Sequence, residues 1–381
     1  MTNFAKIFCI DGSGNKNQRD ADLKRPIYCV STSERSISRF DLKGDSALTI
    51  FTEHCKSASM ENRILIAADV VIGLPAQPET PWCSHNSFPN WLEATYERIG
   101  KRDWRDVLIA NDLSQSSAQQ PFVKVKKGTK DKIAHKRLCD KITNGESVYC
   151  IDSGAQQVGR ASLQFWFEVL MPFRKNYPDQ VAIWPFESIE EKAIVVAECY
   201  PTANQADLDL PKKIKRNAPK VVDAILSLRD QKEAITIDER TWFHAVSSED
   251  EYDTFTTAYS FAKRNDVSAL LHCPTEKELS FVRTHEGWML GLRHPTNPAS
   301  GENIEGVQER STKKKPAKLT NGVGQRNRNE QENLGPSGHR GPKGPMVSMI
   351  CRRMNQGVEC GKKYETNPQD VFQKKCPKCQ K

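Results

Sequence analysis

No run of eighteen apolar residues occurs in this 381-residue chain, so no segment has the length of a membrane-spanning helix. The start, Met1 to Asp11, reaches an acid without a long apolar stretch or a small-residue cleavage site. A secretory signal is therefore not expected, and a cytoplasmic location is. The turn Gly12-Ser13-Gly14 lacks the third glycine and the Lys-Ser/Thr that dinucleotide and phosphate loops need. Cys83 and His85 have no acid partner by spacing, so thiol catalysis is not indicated. No internal repeat is evident. Large apolar residues nearly vanish between Pro295 and Pro345, where proline, glycine, asparagine and lysine dominate. Such a segment cannot recover its ordering entropy by burial, and a disordered basic linker is expected over 296–346.

What remains is enough for one large domain and one small one. Phe4 to Asp11 reads as a buried strand ending in an acid and a glycine turn. Pro26 to Ser33 and Ala47 to Phe51 are further strand candidates, and Asn62 to Leu74 suits a central strand covered on both faces. Phe88 to Gly100, Lys132 to Ile142, Arg160 to Tyr177, Asn217 to Arg229 and Ser247 to Arg264 carry helical spacing. Gln180 to Phe186 and Ala193 to Tyr200 suggest a hairpin, and Gly287 to Leu292 a last strand. Strands first and helices interleaved afterwards predict an α/β domain over 1–295. Trp82, Trp91, Trp104 and Trp166 read as packing residues rather than base-stacking platforms.

The net charge is +8, concentrated in Lys124 to Lys141, Lys212 to Lys220 and the C-terminal stretch, which suits a nucleic-acid partner. Of twelve cysteines, Cys9, Cys29, Cys55, Cys83, Cys139, Cys150, Cys199 and Cys273 are scattered in mostly apolar surroundings and read as core residues. Cys351, Cys360, Cys376 and Cys379 lie together near the C-terminus. A Cys-x-x-Cys turn aims backbone amides at its sulfurs, and four thiolates close a tetrahedral zinc shell with no open position. The eight residues between Cys351 and Cys360 exceed the usual spacing, yet a segment this short and polar has no core without metal. We therefore expect a structural zinc module over 347–381. Its basic residues, among them Arg352, Arg353, Lys362, Lys363, Lys374, Lys375 and Lys378, would face nucleic acid or a protein surface.

Carboxylates recur where apolar elements end. Asp11 closes the first strand, Glu198 lies inside Val195-Val196-Ala197-Glu198-Cys199, and Asp250 and Asp253 share one face of a helix capped near Ser248. Several buried acids are costly unless a cation neutralises them, and a divalent metal held this way activates water for phosphodiester hydrolysis. Each acid also has a plain role open to it. Asp11 caps a turn, Glu198 pairs with a lysine or arginine, and Asp250 and Asp253 complement the helix dipole.

The pieces Cys9-Ile10-Asp11-Gly12, Val70-Val71-Ile72-Gly73-Leu74-Pro75, Ile183-Trp184-Pro185-Phe186-Glu187 and Ala197-Glu198-Cys199-Tyr200-Pro201 resemble a family of predicted RNase H-like nucleases, a domain of unknown function. Gly154, Val158-Gly159 and Glu249-Asp250-Glu251-Tyr252-Asp253 also fit, and the paired late acids resemble those of Holliday-junction resolvases. The resemblance spans roughly residues 1–290. It implies an RNase H-like mixed sheet flanked by helices and hydrolysis of DNA or RNA with magnesium or manganese. Asp11, Glu198, Asp250 and Asp253 would be catalytic, with Asp11, Glu198 and Asp253 holding the divalent cation. Gly73 stands where the family carries an aspartate. Asp69, four residues earlier and ~13 Å away at strand rise, is the poorer substitute and Glu198 the better. Gly73 also admits a rival: an impaired scaffold of the same fold that binds nucleic acid or a protein.

Overall fold

In the computed structural model, residues 4–12, 25–41, 46–76, 86–112, 115–125, 136–143, 145–152, 158–206, 208, 210, 218–231, 233–264, 266–276, 279–293, 330–341, 344–352, 354–355, 358–366 and 376–378 are described. The chain divides into two units, Met1–Ala299 and Ser300–Lys381. Among the described residues no helix is long and apolar enough to cross a membrane.

In the first unit, Lys6–Asp11 (β1), Ile27–Ser31 (β2) and Ser36–Arg39 (β3) form an antiparallel meander. Ile64–Asp69 (β4) then adds parallel to the other side of β1. Two short parallel pairings, of Ile109–Ala110 (β5), Phe122–Val125 (β6) and Cys150–Asp152 (β7), make a separate three-stranded sheet. Val181–Ile183 (β8), Ile194–Glu198 (β9) and Thr236–Ile237 (β10) complete the main sheet, whose order is β10-β3-β2-β1-β4-β9-β8. The result is a mixed α/β fold with a mostly parallel central sheet. β1, β4 and β9 are buried on both faces, which is why they read as continuous apolar runs.

Helices cover the two faces separately. Ala47–His54 (α1), Phe88–Ile99 (α2), Trp104–Leu108 (α3), Leu138–Thr143 (α4), Val158–Gln164 (α5) and Met171–Asn176 (α6) come first, with π-helical Phe165–Leu170 joining α5 to α6. Residues of α1, α2, α5 and α6 pack with Phe8, Ile10, Ile66 and Val196. Pro201–Ala206 (α7), Ala218–Asp230 (α8), Glu239–Ala245 (α9) and Glu249–Lys263 (α10) follow. Residues of α8, α9 and α10 pack with Ile7, Cys9, Leu65, Ala67, Val195 and Ala197.

Four elements differ from expectation. Ala47 to Phe51 is helical, because Ser46 caps the first turn by accepting the Thr49 N–H at 3.2 Å. β8 and β9 run parallel, Val181 beside Ile194 and Ile183 beside Val196, so they are no hairpin. The apolar run past Asp69 leaves the sheet, and Leu74 N–H bonds to the His285 carbonyl at 2.8 Å. Of the last strand only one bridge forms, between Glu198 and Met289.

In the second unit, Gln331–Gly341 (β11) pairs with Gly344–Cys351 (β12), the short hairpin Met354–Asn355 (β13) and Val358–Glu359 (β14) follows, and Lys363–Thr366 (β15) pairs with β12. Gln331–Gly341 is thus a strand inside the stretch expected to lack structure. The ladder to β12, not apolar composition, supplies its order. The remainder of that stretch, residues 296–329, lies outside the described residues, as do Trp82, Cys83, His85, Gly154 and Cys379.

Candidate acidic metal centre

Side chains alternate across a strand, so position along β1, β4 and β9 decides which face an acid joins. Asp11 follows Ile7 and Cys9, and Asp69 follows Leu65 and Ala67, all on the α10 side. The two acids are register partners across the parallel β1–β4 pair. Gly12 lets these strand ends close up, since a Cβ there would sit 1.9 Å from Val70 Cγ1 and 2.7 Å from the Asp69 carbonyl.

The other two acids come from α10. Ser248 caps this helix by accepting the Glu251 N–H at 3.1 Å. The Glu251 carboxylate is in turn gripped from the sheet. Tyr28 of β2 donates to it at 2.6 Å and Arg39 Nε of β3 at 2.9 Å. This clamp seats the first turn of α10 over β1 and β2, with Asp250 exposed and Asp253 buried one turn on. Burial raises the Tyr28 pKa, and the adjacent Glu251 charge raises it further.

Asp11 is 9% exposed, and its Oδ2 has no hydrogen-bond partner. Its pKa is pushed well above the ordinary carboxylate range. Burial is the main cause, the charges of Asp69, Asp250 and Asp253 add to it, and buried Arg25 opposes it. Four acids from two strand ends and one helix therefore bear electrostatically on Asp11, although among the described residues no three of their carboxylates lie within 4.8 Å of one another. A divalent cation with oxygen ligands is the group that would relieve that charge if the carboxylates drew together around it.

Glu198 does not join them. Its neighbours Ile194 and Val196 lie on the opposite face of the sheet, and its carboxylate is already occupied. Arg137, 0% exposed, donates to it through Nη1 at 2.6 Å and Nη2 at 2.7 Å, and the Ile72 N–H donates at 2.7 Å. Arg137 also forks onto Asp140, with contacts at 2.7 and 2.9 Å. Cys139, Asp140 and Glu198 lie within ligand distance of one another, but the guanidinium already supplies the positive charge between the two acids. Of the two roles open to Glu198 in the sequence, the structure shows the ion pair.

Gly73 has its own reason. Its φ is 139°, and a Cβ would stand 2.0 Å from the Glu286 carbonyl. Gly287 faces it reciprocally, with a Cβ position 2.1 Å from the Ile72 carbonyl. Two backbones cross there, and no side chain fits.

In the second unit the sulfurs of Cys351, Cys360 and Cys376 lie within 4.8 Å of one another and could hold a metal ion. Cys360 and Cys376 sulfurs are 3.8 Å apart, and the Lys378 N–H points at Cys376 Sγ from 3.4 Å, the amide geometry expected of a Cys-x-x-Cys turn. Gln331 Nε2 donates to Cys351 Sγ at 3.3 Å. Arg352, counted among the basic residues of this unit, is paired with Glu332 at 2.7 Å and Glu359 at 2.9 Å, whereas Lys362, Lys363 and Lys378 are exposed.

The fold and site thus define an α/β protein with buried Asp11 and Asp253 and exposed Asp250 near the end of β1, and, in its second unit, a cysteine cluster that could hold a metal. Compared with protein-family models, curated proteins and solved structures, the chain matches none.

Proposed function

We propose that the first unit is an RNase H-like, metal-dependent nuclease hydrolysing phosphodiester bonds of DNA or RNA. The observation that carries this reading is the pairing of buried Asp11, whose Oδ2 is unpartnered, level with Asp69 across β1 and β4, with the charges of Asp250 and Asp253 from α10 also acting on Asp11. The sheet order supports it: an antiparallel β1-β2-β3 meander extended by parallel β4 and β9 resembles the RNase H-like arrangement. Asp69 takes the place given to Glu198 in the sequence-based ligand set. A bound magnesium or manganese ion would activate water and stabilise the leaving oxygen. Within this reading the cysteine cluster binds structural zinc, with Cys379 as fourth ligand, and the exposed Lys362, Lys363 and Lys378 aid binding of substrate or a protein partner.

Gly73 favours an impaired scaffold only if it marks a lost ligand, and the backbone crossing accounts for it without that. The test is cleavage of labelled DNA, RNA and hybrid substrates in manganese by wild type and Asp11→Asn. Cleavage by wild type alone is the expected result. Binding of the same substrates without cleavage by either protein would move the reading to a nucleic-acid-binding scaffold.

A further inference from the structure

Three strands of the second unit meet at one side chain. Gln331 opens β11, Cys351 closes β12, and the two are register partners. Tyr364 of β15 stands opposite Met349, two residues before Cys351. Alternation therefore puts Gln331, Met349, Cys351 and Tyr364 on one face of this sheet. Gln331, Met349 and Cys351 are fully buried there.

The Gln331 amide spans the central strand β12. Its Oε1 accepts the Tyr364 hydroxyl at 2.9 Å, and its Nε2 donates to Cys351 Sγ at 3.3 Å. The hydroxyl thereby holds the donor end of the amide toward the sulfur. Backbone bonds close the other side of Cys351. Its N–H donates to the Lys362 carbonyl at 3.0 Å, and the Gly361 N–H donates to its carbonyl at 2.9 Å. Cys360 is thus folded back beside Cys351 despite the eight residues between them, and both sulfurs lie within 4.8 Å of Cys376 Sγ.

Burying a glutamine amide is costly unless both its ends are bonded, and here one end is bonded to sulfur. A neutral thiol is a weak acceptor, so that contact counts most when the sulfur is a thiolate, the form that ligates metal. Donors of this kind beyond the ligands orient them and raise metal affinity. We propose that Gln331, held by Tyr364, is a positioning residue of the cysteine metal site: it presents Cys351 as a thiolate ligand and ties metal loading to the pairing of β11. The inference rests on the reading of the cysteine cluster as a zinc site and is independent of the nuclease reading.

The test uses the full chain, freed of metal, with cobalt(II) as probe. Only sulfur ligation gives a thiolate-to-cobalt absorption band, so carboxylates of the first unit add nothing to it. Gln331→Leu weakens zinc binding about tenfold or more, read by competition with a chelating indicator. It also moves the cobalt band to longer wavelength, because a thiolate that loses its donor holds its electrons less tightly. Gln331→Glu, which sets a carboxylate against the thiolate, binds zinc no better than Gln331→Leu. Tyr364→Phe shifts the band in the same direction, by less. A purely structural role would leave the band in place in the molecules that still bind. Wild-type affinity and band position in Gln331→Leu would overturn the role of Gln331. Absence of any thiolate band in the wild type would instead remove the metal reading, and the proposal with it. Should Gln331→Leu fail to fold, the wild type decides. Loaded with an NMR-active cadmium isotope, it shows scalar coupling between the metal and the Gln331 side-chain amide proton, and lack of that coupling refutes the contact.

Discussion

Asp11 and Asp69 stand level on neighbouring parallel strands, the last residue of β1 beside the last residue of β4. Asp69→Asn should therefore abolish manganese-dependent cleavage as fully as Asp11→Asn, by ~10²-fold or more. Glu198→Gln should behave differently. It weakens the grip on buried Arg137 and lowers stability by about 3–5 kcal/mol, while the protein that stays folded retains its thermal response to manganese. Calorimetry of the two variants with and without metal separates the roles.

The raised pKa of Asp11 fixes a sign for pH dependence. A carboxyl whose folded pKa exceeds its unfolded value, about 4, binds more protons in the folded state across the window between the two. Stability of the metal-free protein therefore falls as pH rises from about 4 to the raised value. Denaturant titrations of wild type and Asp11→Asn should diverge across that window, and saturating manganese should close the gap. A wild-type curve parallel to the variant's would contradict the placement of Asp11.

Restoring an acid at Gly73 should do harm. Gly73→Asp drives a Cβ toward the Glu286 carbonyl, 2.0 Å away, in a backbone conformation that L side chains rarely adopt. The expected loss is more than ~2 kcal/mol, with no gain in cleavage rate. A stable, more active variant would show that the position belongs to the metal site after all.

Removal of metal from the second unit should be local. A strong chelator should release one zinc equivalent and collapse the β11–β12–β15 ladder, and Cys376→Ser should lower zinc content and loosen the same ladder. The manganese response of the first unit should persist. Zinc release followed by a colorimetric indicator, with circular dichroism, reads both effects.

Three of the four acids around β1 and α10 are legible in the sequence for sound local reasons. Asp11 ends an apolar run at a glycine turn, and Asp253 follows Asp250 by three residues on a capped helix. The place of Asp69 is hidden because distance along its own strand to Gly73 says nothing of its neighbour across the sheet, Asp11 on β1. Alternation along β9 puts Glu198 on the face away from α10, and Cys199 just past the strand on the α10 side, a distinction that an isolated acid in an apolar run does not display. Arg137 follows a lysine-rich stretch and looks like part of a solvated charge run. Only long-range contacts reveal it as the buried partner of Glu198. The strand at Gln331–Gly341 was hidden by polar composition, since its order comes from pairing that no local pattern announces.

The clamp of Tyr28 and Arg39 on Glu251 joins early strands to a helix more than two hundred residues later. On a ribosome, β1 to β4 emerge long before α10 exists. A nascent chain stopped at Ala245 holds Asp11 and Asp69 but neither helix acid. The proposed cation site would thus be completed only near the end of synthesis of the first unit, and fragments released early would carry half of its acids.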